Sequence, residues 1–261
     1  MAIYQQPFWG FVIDKPDDWV HRSIQNTDGF APNPEALEPG FEGTPLGHIV
    51  IRGEWNSLNR DIEPIWNEHI TRLSIMIGAK SLGSASWMMG GGRGFEAEIQ
   101  LAKKTNKRLW SGILEFNSIV LHFMVLHWRE ERKWFEPLAT ALISSLQFIQ
   151  KAEGISLDDR ELPIPPEYKL SDPKLILEDL QDTTLWQAYE GTANIGALQA
   201  FYLRELPNYG WEIDEYIPYP FPSTIDFSRF KIRKDRLNLT LGLMPLSKGY
   251  EVGAIIIKNY S

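Results

Sequence analysis

Three consecutive runs of sequence decide the fold of the first half of the chain: FEAEIQL at 95–101, KRLWSGILEF at 107–116 and IVLHFMVLHW at 119–128. In the first run apolar and polar residues alternate, which is typical of a strand with one face in the core and one in solvent. The third run is apolar at almost every position, so it is predicted to be a central strand covered on both faces. Turns at 105–106 and 117–118 separate the runs and place neighbouring strands antiparallel.

One amphipathic helix is predicted before these strands in the chain and another after them. The first begins near Asn59 or Asp61, either of which can cap it, and ends at Gly78. Its apolar residues recur at helical spacing: Ile62, Ile65, Trp66, Ile70, Leu73 and Ile77. The second helix spans about 131–149, with these residues directed inward: Trp134, Phe135, Leu138, Leu142 and Leu146. Earlier in the chain, strands are predicted at 9–14 and 48–52, and a turn-rich loop at 28–47.

A Pro-rich segment at 155–169 is predicted to link two domains, 1–154 and 170–261. Proline there favours stiff, extended backbone, so a spacer is favoured over a polyproline ligand. The second domain reads as strand 185–190, a helix from Asn194 to Pro207 and Gly210, strand 211–216, a hairpin of 227–234 and 237–243, and strand 250–258. This order predicts an antiparallel sheet with one helix, so the whole chain is assigned to the α+β class.

Composition excludes several kinds of function. The 261 residues include no Cys, which rules out disulfides, thiolate catalysis and Cys-based zinc sites. The net charge of −8 has the wrong sign for a phosphate-backbone binder, so no nucleic-acid partner is expected. The longest apolar run, 119–128, is far shorter than the ~20 residues of a membrane helix, and residues 1–5 do not resemble a signal peptide. A cytoplasmic protein without membrane insertion is therefore expected.

No catalytic constellation is recognised in the sequence. The Gly-rich segment 89–94 opens onto a strand instead of a helix, which favours a loop or bulge over a phosphate cradle. His122 and His127 are an odd number of residues apart on one predicted strand, so they face opposite sides, and no metal or cofactor site is predicted. A hydrolase or transferase site gathered from both domains stays an alternative. Its first suspects are His69, Glu96, Glu98, His127 and Arg129.

The segment YIPYPFP at 216–222 alternates aromatic residues with proline. Because proline fixes φ and removes a hydrogen-bond donor, this segment cannot be a central strand. It is predicted to be an extended loop whose aromatic side chains either cap the core or face a partner. Aromatic side chains on a stiff loop lose little entropy on binding. Tyr216, Tyr219 and Phe221 are therefore candidate interface residues.

The segment FVIDKPDDWVHRS at 11–23 resembles the opening of the PsbP-like superfamily, a strand followed by P-x-x-W and D-R-S. The group includes DcrB and the EagR chaperones of type VI secretion effectors. The order of predicted elements is also similar, and SLQF at 145–148 matches a closing S-x-x-F signature, so the resemblance covers about 8–149. His21 stands where the pattern has Asp. The second domain lies outside the pattern; its YLRELP at 202–207 is similar to small domains found after bacterial lipoprotein leaders.

The resemblance implies an α/β/α sandwich with an antiparallel sheet, used as a binding scaffold for photosystem subunits, a small GTPase or effector transmembrane segments. It offers no catalytic residue to carry over, and Trp19 and Arg22 of its motif join the candidate interface. We therefore predict a non-catalytic protein-binding adaptor, accessory subunit or chaperone, with a protein partner and no cofactor. A structural subunit of a larger assembly, including a homo-oligomer joined through edge strands, is a second hypothesis.

Overall fold

The computed structural model describes residues 1–24, 26–38, 47–101, 106–177, 179–219, 227–246 and 253–260. Its internal contacts divide the chain into unit 1, residues 1–6 and 11–149, and unit 2, residues 7–10 and 150–261. Both units combine helices with antiparallel strand pairs, so the predicted α+β class is confirmed. The predicted division into domains 1–154 and 170–261 stays a prediction.

Unit 1 is built from two sheets and two main helices. Its strands are β1 (Ala2–Gln6), β2 (Phe11–Lys15), β3 (Val20–Ile24), β4 (Thr27–Ala31), β5 (His48–Trp55), β6 (Ala79–Ser81), β7 (Ala85–Met89), β8 (Gly92–Leu101), β9 (Lys107–Phe116), β10 (Ile119–Trp128) and β11 (Gln147–Phe148). Its helices are α1 (Ile62–Ile77) and α2 (Arg132–Ser144), and short 3₁₀ turns occupy Pro34–Leu37 and Arg129–Glu131. The larger sheet has the order β3-β4-β5-β10-β9-β8-β6, with β7 also paired to β8, and β1-β2-β11 form the smaller one.

The three strands predicted between 95 and 128 are confirmed as β8, β9 and β10, and β10 lies centrally between β5 and β9. Helix α1 covers one face of this sheet, where Trp66 stacks on Phe95 of β8 and shares a buried cluster with Ile65 and Val120. Helix α2 lies on the other face, where Phe135 meets His127. The layers are therefore those of the α/β/α sandwich.

The prediction of a loop at 28–47 is wrong for residues 28–31, which belong to strand β4. Strand β4 pairs with both β3 and β5, and its Asp28, Phe30 and Ala31 are buried. The turn signals in this stretch follow β4, and residues 39–46 lie outside the described part of the chain. The predicted strand at 9–14 begins only at Phe11, because Gly10 has a left-handed φ of 65°.

Helix ends in unit 1 follow local chemistry. Gly78 ends α1 with a left-handed φ of 64°, as predicted, whereas Asp61 stands at the N-cap without a side-chain cap bond. Trp134 was predicted to face inward and is 45% exposed, because a helix turns about 100° per residue and Phe135 takes the buried position. Helix α2 ends before 149 because its next residues form β11, which pairs with β2.

Unit 2 contains a six-stranded antiparallel sheet and the longer helix α4. Its elements are β12 (Ser156–Leu157), β13 (Pro163–Ile164), β14 (Lys169–Ser171), α3 (Pro173–Ile176), β15 (Trp186–Gly191), α4 (Ile195–Asn208), β16 (Glu212–Ile217), β17 (Ser228–Lys234), β18 (Leu237–Pro245) and β19 (Gly253–Tyr260). The sheet order is β14-β15-β19-β18-β17-β16. Asn194 caps α4 as predicted, with its Oδ1 accepting from Ala197 N at 2.9 Å. Pro207 does not end the helix, which runs one residue further.

The Pro-rich segment at 155–169 is packed within unit 2 instead of running free as a spacer. Its strands β12 and β13 pair with each other, and Leu162, Ile164 and Tyr168 are buried. The indole of Trp211 also donates to the carbonyl of Glu161 at 3.2 Å. Because the apolar side chains between the prolines belong to a core, the segment offers no exposed polyproline ligand.

Candidate functional site

A cleft of about 290 Å³ lies between α2 and the sheet face that α2 covers. We call it the α2 cleft. The strands contribute Trp87, Met89, Glu96, Glu98, Trp110 and Val125, and the helix contributes Arg132, Glu136, Ala139, Thr140, Ile143 and Ser144. It is concave and mixes aromatic, aliphatic and charged side chains, which is the usual composition of a binding site.

The strand register brings the polar and aromatic residues of the cleft together. Glu96 and Glu98 alternate with Ala97 and Ile99, which face α1, so both carboxylates project toward α2. Glu98 lies directly opposite Trp110 on β9. Side chains at such cross-strand positions are within contact distance, so a carboxylate and an indole stand side by side in the cleft.

Two tryptophans form an aromatic corner of the cleft. The ring centroids of Trp87 and Trp110 are 5.3 Å apart and their planes meet at 89°. Gly112 lies beneath both rings: a Cβ there would come within 2.8 Å of Trp87 Cζ3 and 3.0 Å of Trp110 Cη2. The missing side chain of Gly112 therefore makes room for the corner.

Hydrogen bonds fix some polar groups of the cleft and leave others open. The indole N–H of Trp110 donates to Glu96 Oε2 at 3.0 Å. Glu136 accepts from Arg132 Nε at 3.0 Å and lies 3.2 Å from His127 Nε2. Glu98 is exposed and has no ion pair within the described residues. Three carboxylates and one guanidinium line the cleft.

The five suspects for a catalytic site do not converge. Glu96 and Glu98 lie in the α2 cleft, and His127 reaches its wall through Glu136. Arg129 lines an adjoining depression. His69 projects from α1 on the opposite face of the sheet, and the predicted opposition of His122 and His127 holds, because His122 faces α1 and His127 faces α2.

His69 and His122 meet in a partly buried polar cluster that sequence reasoning missed. Their Nδ1 atoms are 3.4 Å apart, and His122 Nε2 lies 3.1 Å from Glu54 Oε2. On the other side, His69 Nε2 lies 2.8 Å from Ser111 Oγ. The pairing of β5 with β10 places Arg52 opposite His122, and Glu54 lies one side-chain position along the same face. No local pattern specifies this long-range pairing.

The cluster keeps both imidazoles neutral near pH 7. Burial lowers the pKa of His69 to about 4 and also lowers the pKa of His122. The hydrogen bond with His122 lowers the pKa of Glu54 to about 2. Because the Ser111 hydroxyl donates to the Phe123 carbonyl at 2.9 Å, His69 Nε2 is the donor to Ser111 Oγ. Ser111 is completely buried in β9, so this arrangement joins α1 to the sheet and does not present a nucleophile.

A buried carboxylate, that of Asp28 on β4, lies beside His21. Asp28 is 1% exposed and accepts from Tyr4 Oη at 2.7 Å, Gln6 Nε2 at 3.0 Å and the hydroxyl of Ser23. His21 Nε2 lies 3.1 Å from the same carboxylate. Burial raises the pKa of Asp28, but these hydrogen bonds outweigh it and the pKa is lowered. His21 is therefore one of the partners of this buried acid.

The predicted interface residues of unit 1 have different environments. Trp19 is 3% exposed and stacks on Phe135 with a centroid distance of 5.2 Å. It belongs to the core, so its assignment to an interface is corrected. Arg22 is exposed and pairs with Glu38 at 2.7 Å, and its contact with a partner stays a prediction.

The predicted interface residues of unit 2 begin at the end of β16. The Tyr216 hydroxyl donates to Gln199 Oε1 at 2.9 Å, and its ring lies 4.5 Å from Phe230, so Tyr216 caps the core. Tyr219 is half-buried and its backbone bonds to Gln199. Phe221 lies outside the described residues. A partner contact for these residues stays a prediction.

Comparison with known proteins finds no matching family model and no matching curated protein. Similar solved structures include cyanobacterial PsbP (CyanoP) from Synechocystis, with 8% identity over 56% of this chain and 91% of that chain (TM-score 0.43). LpqN, involved in cell envelope biogenesis of Mycobacterium tuberculosis, has 14% identity over 57% of this chain and 90% of its own (TM-score 0.42). The Ran-binding protein Mog1p of Saccharomyces cerevisiae has 9% identity over 57% of this chain and 95% of its own (TM-score 0.40).

These matches, PsbP among them, are similar to this chain over part of its length. At such identities the likeness concerns the fold alone. Among the described residues, no helix is long and apolar enough to cross a membrane.

Proposed function

We propose that this protein is a non-catalytic protein-binding module, acting as an adaptor, accessory subunit or chaperone. The observation that carries the proposal is the α2 cleft, where two tryptophans and three carboxylates line a concavity on a well-packed sheet. Aromatic side chains held in place by packing supply binding area at a low cost in entropy. The proposal keeps the cytoplasm as the expected location.

The buried titratable groups have structural partners, which favours a binding function over a catalytic one. Burial and hydrogen bonding within unit 1 account for the lowered pKa values of His69, His122 and Asp28. Each of these groups joins one element of the fold to another. Strongly shifted pKa values are typical of catalytic sites, but structural networks produce them as well.

A structural subunit of a larger assembly is the second candidate. Strand β1 is at the edge of its sheet and pairs only with β2 among the described residues, and its Ile3 is 80% exposed. An edge strand with an exposed apolar side chain is a template for strand addition. Sedimentation velocity separates the candidates, because a subunit of this kind assembles without a foreign partner.

The test of the first candidate is affinity capture of the tagged full chain from lysate of its native host, followed by reconstitution with the purified partner. A stoichiometric complex of purified components supports a binding module. Two variants then locate the interface: Trp110→Ala in the cleft, and Tyr219→Ala/Phe221→Ala in the predicted aromatic loop. If no protein reconstitutes a complex at low or moderate salt, the proposal is wrong.

A further inference from the structure

We infer that the α2 cleft receives an arginine side chain presented by the partner protein. This inference rests on the proposed function and adds to it the chemical group that the cleft recognises. Three properties of the cleft carry it: the carboxylates of Glu96 and Glu98, which have no ion-pair partner among the described residues, the half-buried indole of Trp110 beside them, and the size of the cleft.

The charge of the cleft selects a cation. Of its three carboxylates, Glu136 forms an ion pair with Arg132, whose Nε lies 3.0 Å from it. The carboxylate of Glu96 has one oxygen occupied by the Trp110 indole, and Glu98 has no ion-pair partner within the described residues. These two residues are two positions apart on β8, so their side chains project to the same side of the sheet. They offer acceptors for the several N–H donors of a guanidinium.

The aromatic corner selects a flat cation. Trp87 is 8% exposed and supports the more exposed Trp110 from the side, while the bond to Glu96 fixes the direction of the Trp110 ring. A guanidinium can stack on an indole and bond to carboxylates at its edge at the same time, which the compact ammonium of lysine does less well. No group of His, Asp and Glu among the described residues is arranged to hold a metal ion, so the charge points to an organic cation.

The surroundings orient the incoming side chain. The adjoining depression shares Glu98, Trp110 and Glu136 with the cleft but is lined by Lys107, Arg108 and Arg129. A second cation is repelled on that side, so the guanidinium is directed toward Glu96 and Glu98. The volume of about 290 Å³ is at the lower end for ligand sites, which fits one side chain of a partner and not a large free ligand.

The test is a titration of the isotopically labelled full chain with the peptide acetyl-Gly-Gly-Arg-Gly-Gly-amide, followed through indole N–H resonances. The Trp110 resonance is assigned with the Trp110→Phe variant. The same peptide with citrulline in place of arginine is the neutral control of nearly identical shape. We expect saturable shifts of the Trp110 indole with the arginine peptide and none with the citrulline peptide.

Matched variants locate the effect. Glu96→Gln/Glu98→Gln keeps shape and hydrogen-bond capacity, and we expect it to weaken arginine binding about tenfold or more, as removal of charged acceptors does. Glu63→Gln/Glu68→Gln removes the same charge from α1, on the other face of the sheet, and should leave binding unchanged. Resonance dispersion of each variant reports whether it is folded.

Three results overturn the inference: a citrulline peptide that binds equally well, no saturable shift of the Trp110 indole, or full affinity in the Glu96→Gln/Glu98→Gln variant. The failure of the proposed function is separate, since it is read from reconstitution of a protein complex. A partner that binds elsewhere leaves the binding module intact and removes only the arginine site.

Discussion

The side-chain amide of Gln199 brackets the backbone of Tyr219: its Oε1 accepts from the Tyr219 N–H at 2.6 Å, and its Nε2 donates to the Tyr219 carbonyl at 2.8 Å. Gln199 is completely buried in α4, and its Oε1 also accepts from the Tyr216 hydroxyl. One helical side chain therefore fixes the chain where the aromatic and Pro-rich segment begins.

Replacing Gln199 by leucine should destabilise unit 2. The change keeps the approximate size but removes three hydrogen bonds, two with the Tyr219 backbone and one with the Tyr216 hydroxyl, and each contributes about 0.5–1.5 kcal/mol. The measurement is urea unfolding followed by near-ultraviolet circular dichroism. Gln100→Leu, at an exposed position of β8, is the control and should change the free energy of unfolding by less than about 0.5 kcal/mol. Equal effects of the two substitutions would contradict the structural role of Gln199.

The sequence predicts local features of this fold well and long-range ones poorly. Alternating and continuous apolar residues predict β8, β9 and β10, and Gly78 predicts the end of α1. Each of these signals lies within a few residues of the element that it predicts. Glu96 and Glu98 are among the residues that the sequence marks as suspects. Their tryptophan neighbours are not, because Trp87 and Trp110 meet them only through strand pairing, and pairing depends on residues far apart in the chain.

The cluster of His69 and His122 should make unfolding pH-dependent. An unfolded histidine takes up a proton near pH 6.5, whereas folded His69 does so only near its pKa of about 4. The unfolded state thus binds more protons between these values, so this contribution to stability is present above pH 6.5 and is lost as the pH falls toward 4. Proton NMR titration of the imidazole and unfolding of wild type and His69→Gln across this range test the effect. A His69 that titrates near 6.5, or an unchanged pH dependence in the variant, would exclude it.

Gly112→Ala should disturb the aromatic corner. The added Cβ lies too close to both indoles, so the rings must shift, and such overpacking costs about 1–3 kcal/mol. The near-ultraviolet circular dichroism of the tryptophan pair should change together with stability. Gly242→Ala in β18 is the matched control, since its nearest neighbour atom would be 3.8 Å away. If both variants behave alike, Gly112 does not control the corner.

The pairing of His21 with Asp28 allows a test by exchange. His21→Asp introduces the Asp that the PsbP-like pattern has at this position, and it places a second carboxylate beside the buried Asp28. Like charges at this distance disfavour each other, so the variant should be less stable than wild type at pH 7, and lowering the pH should reduce the difference as one carboxylate takes up a proton. His21→Asn, which adds no charge, should cost less. The exchange His21→Asp/Asp28→His should recover part of the loss measured by urea unfolding. A double variant as unstable as the sum of the single ones would show that the two residues act independently.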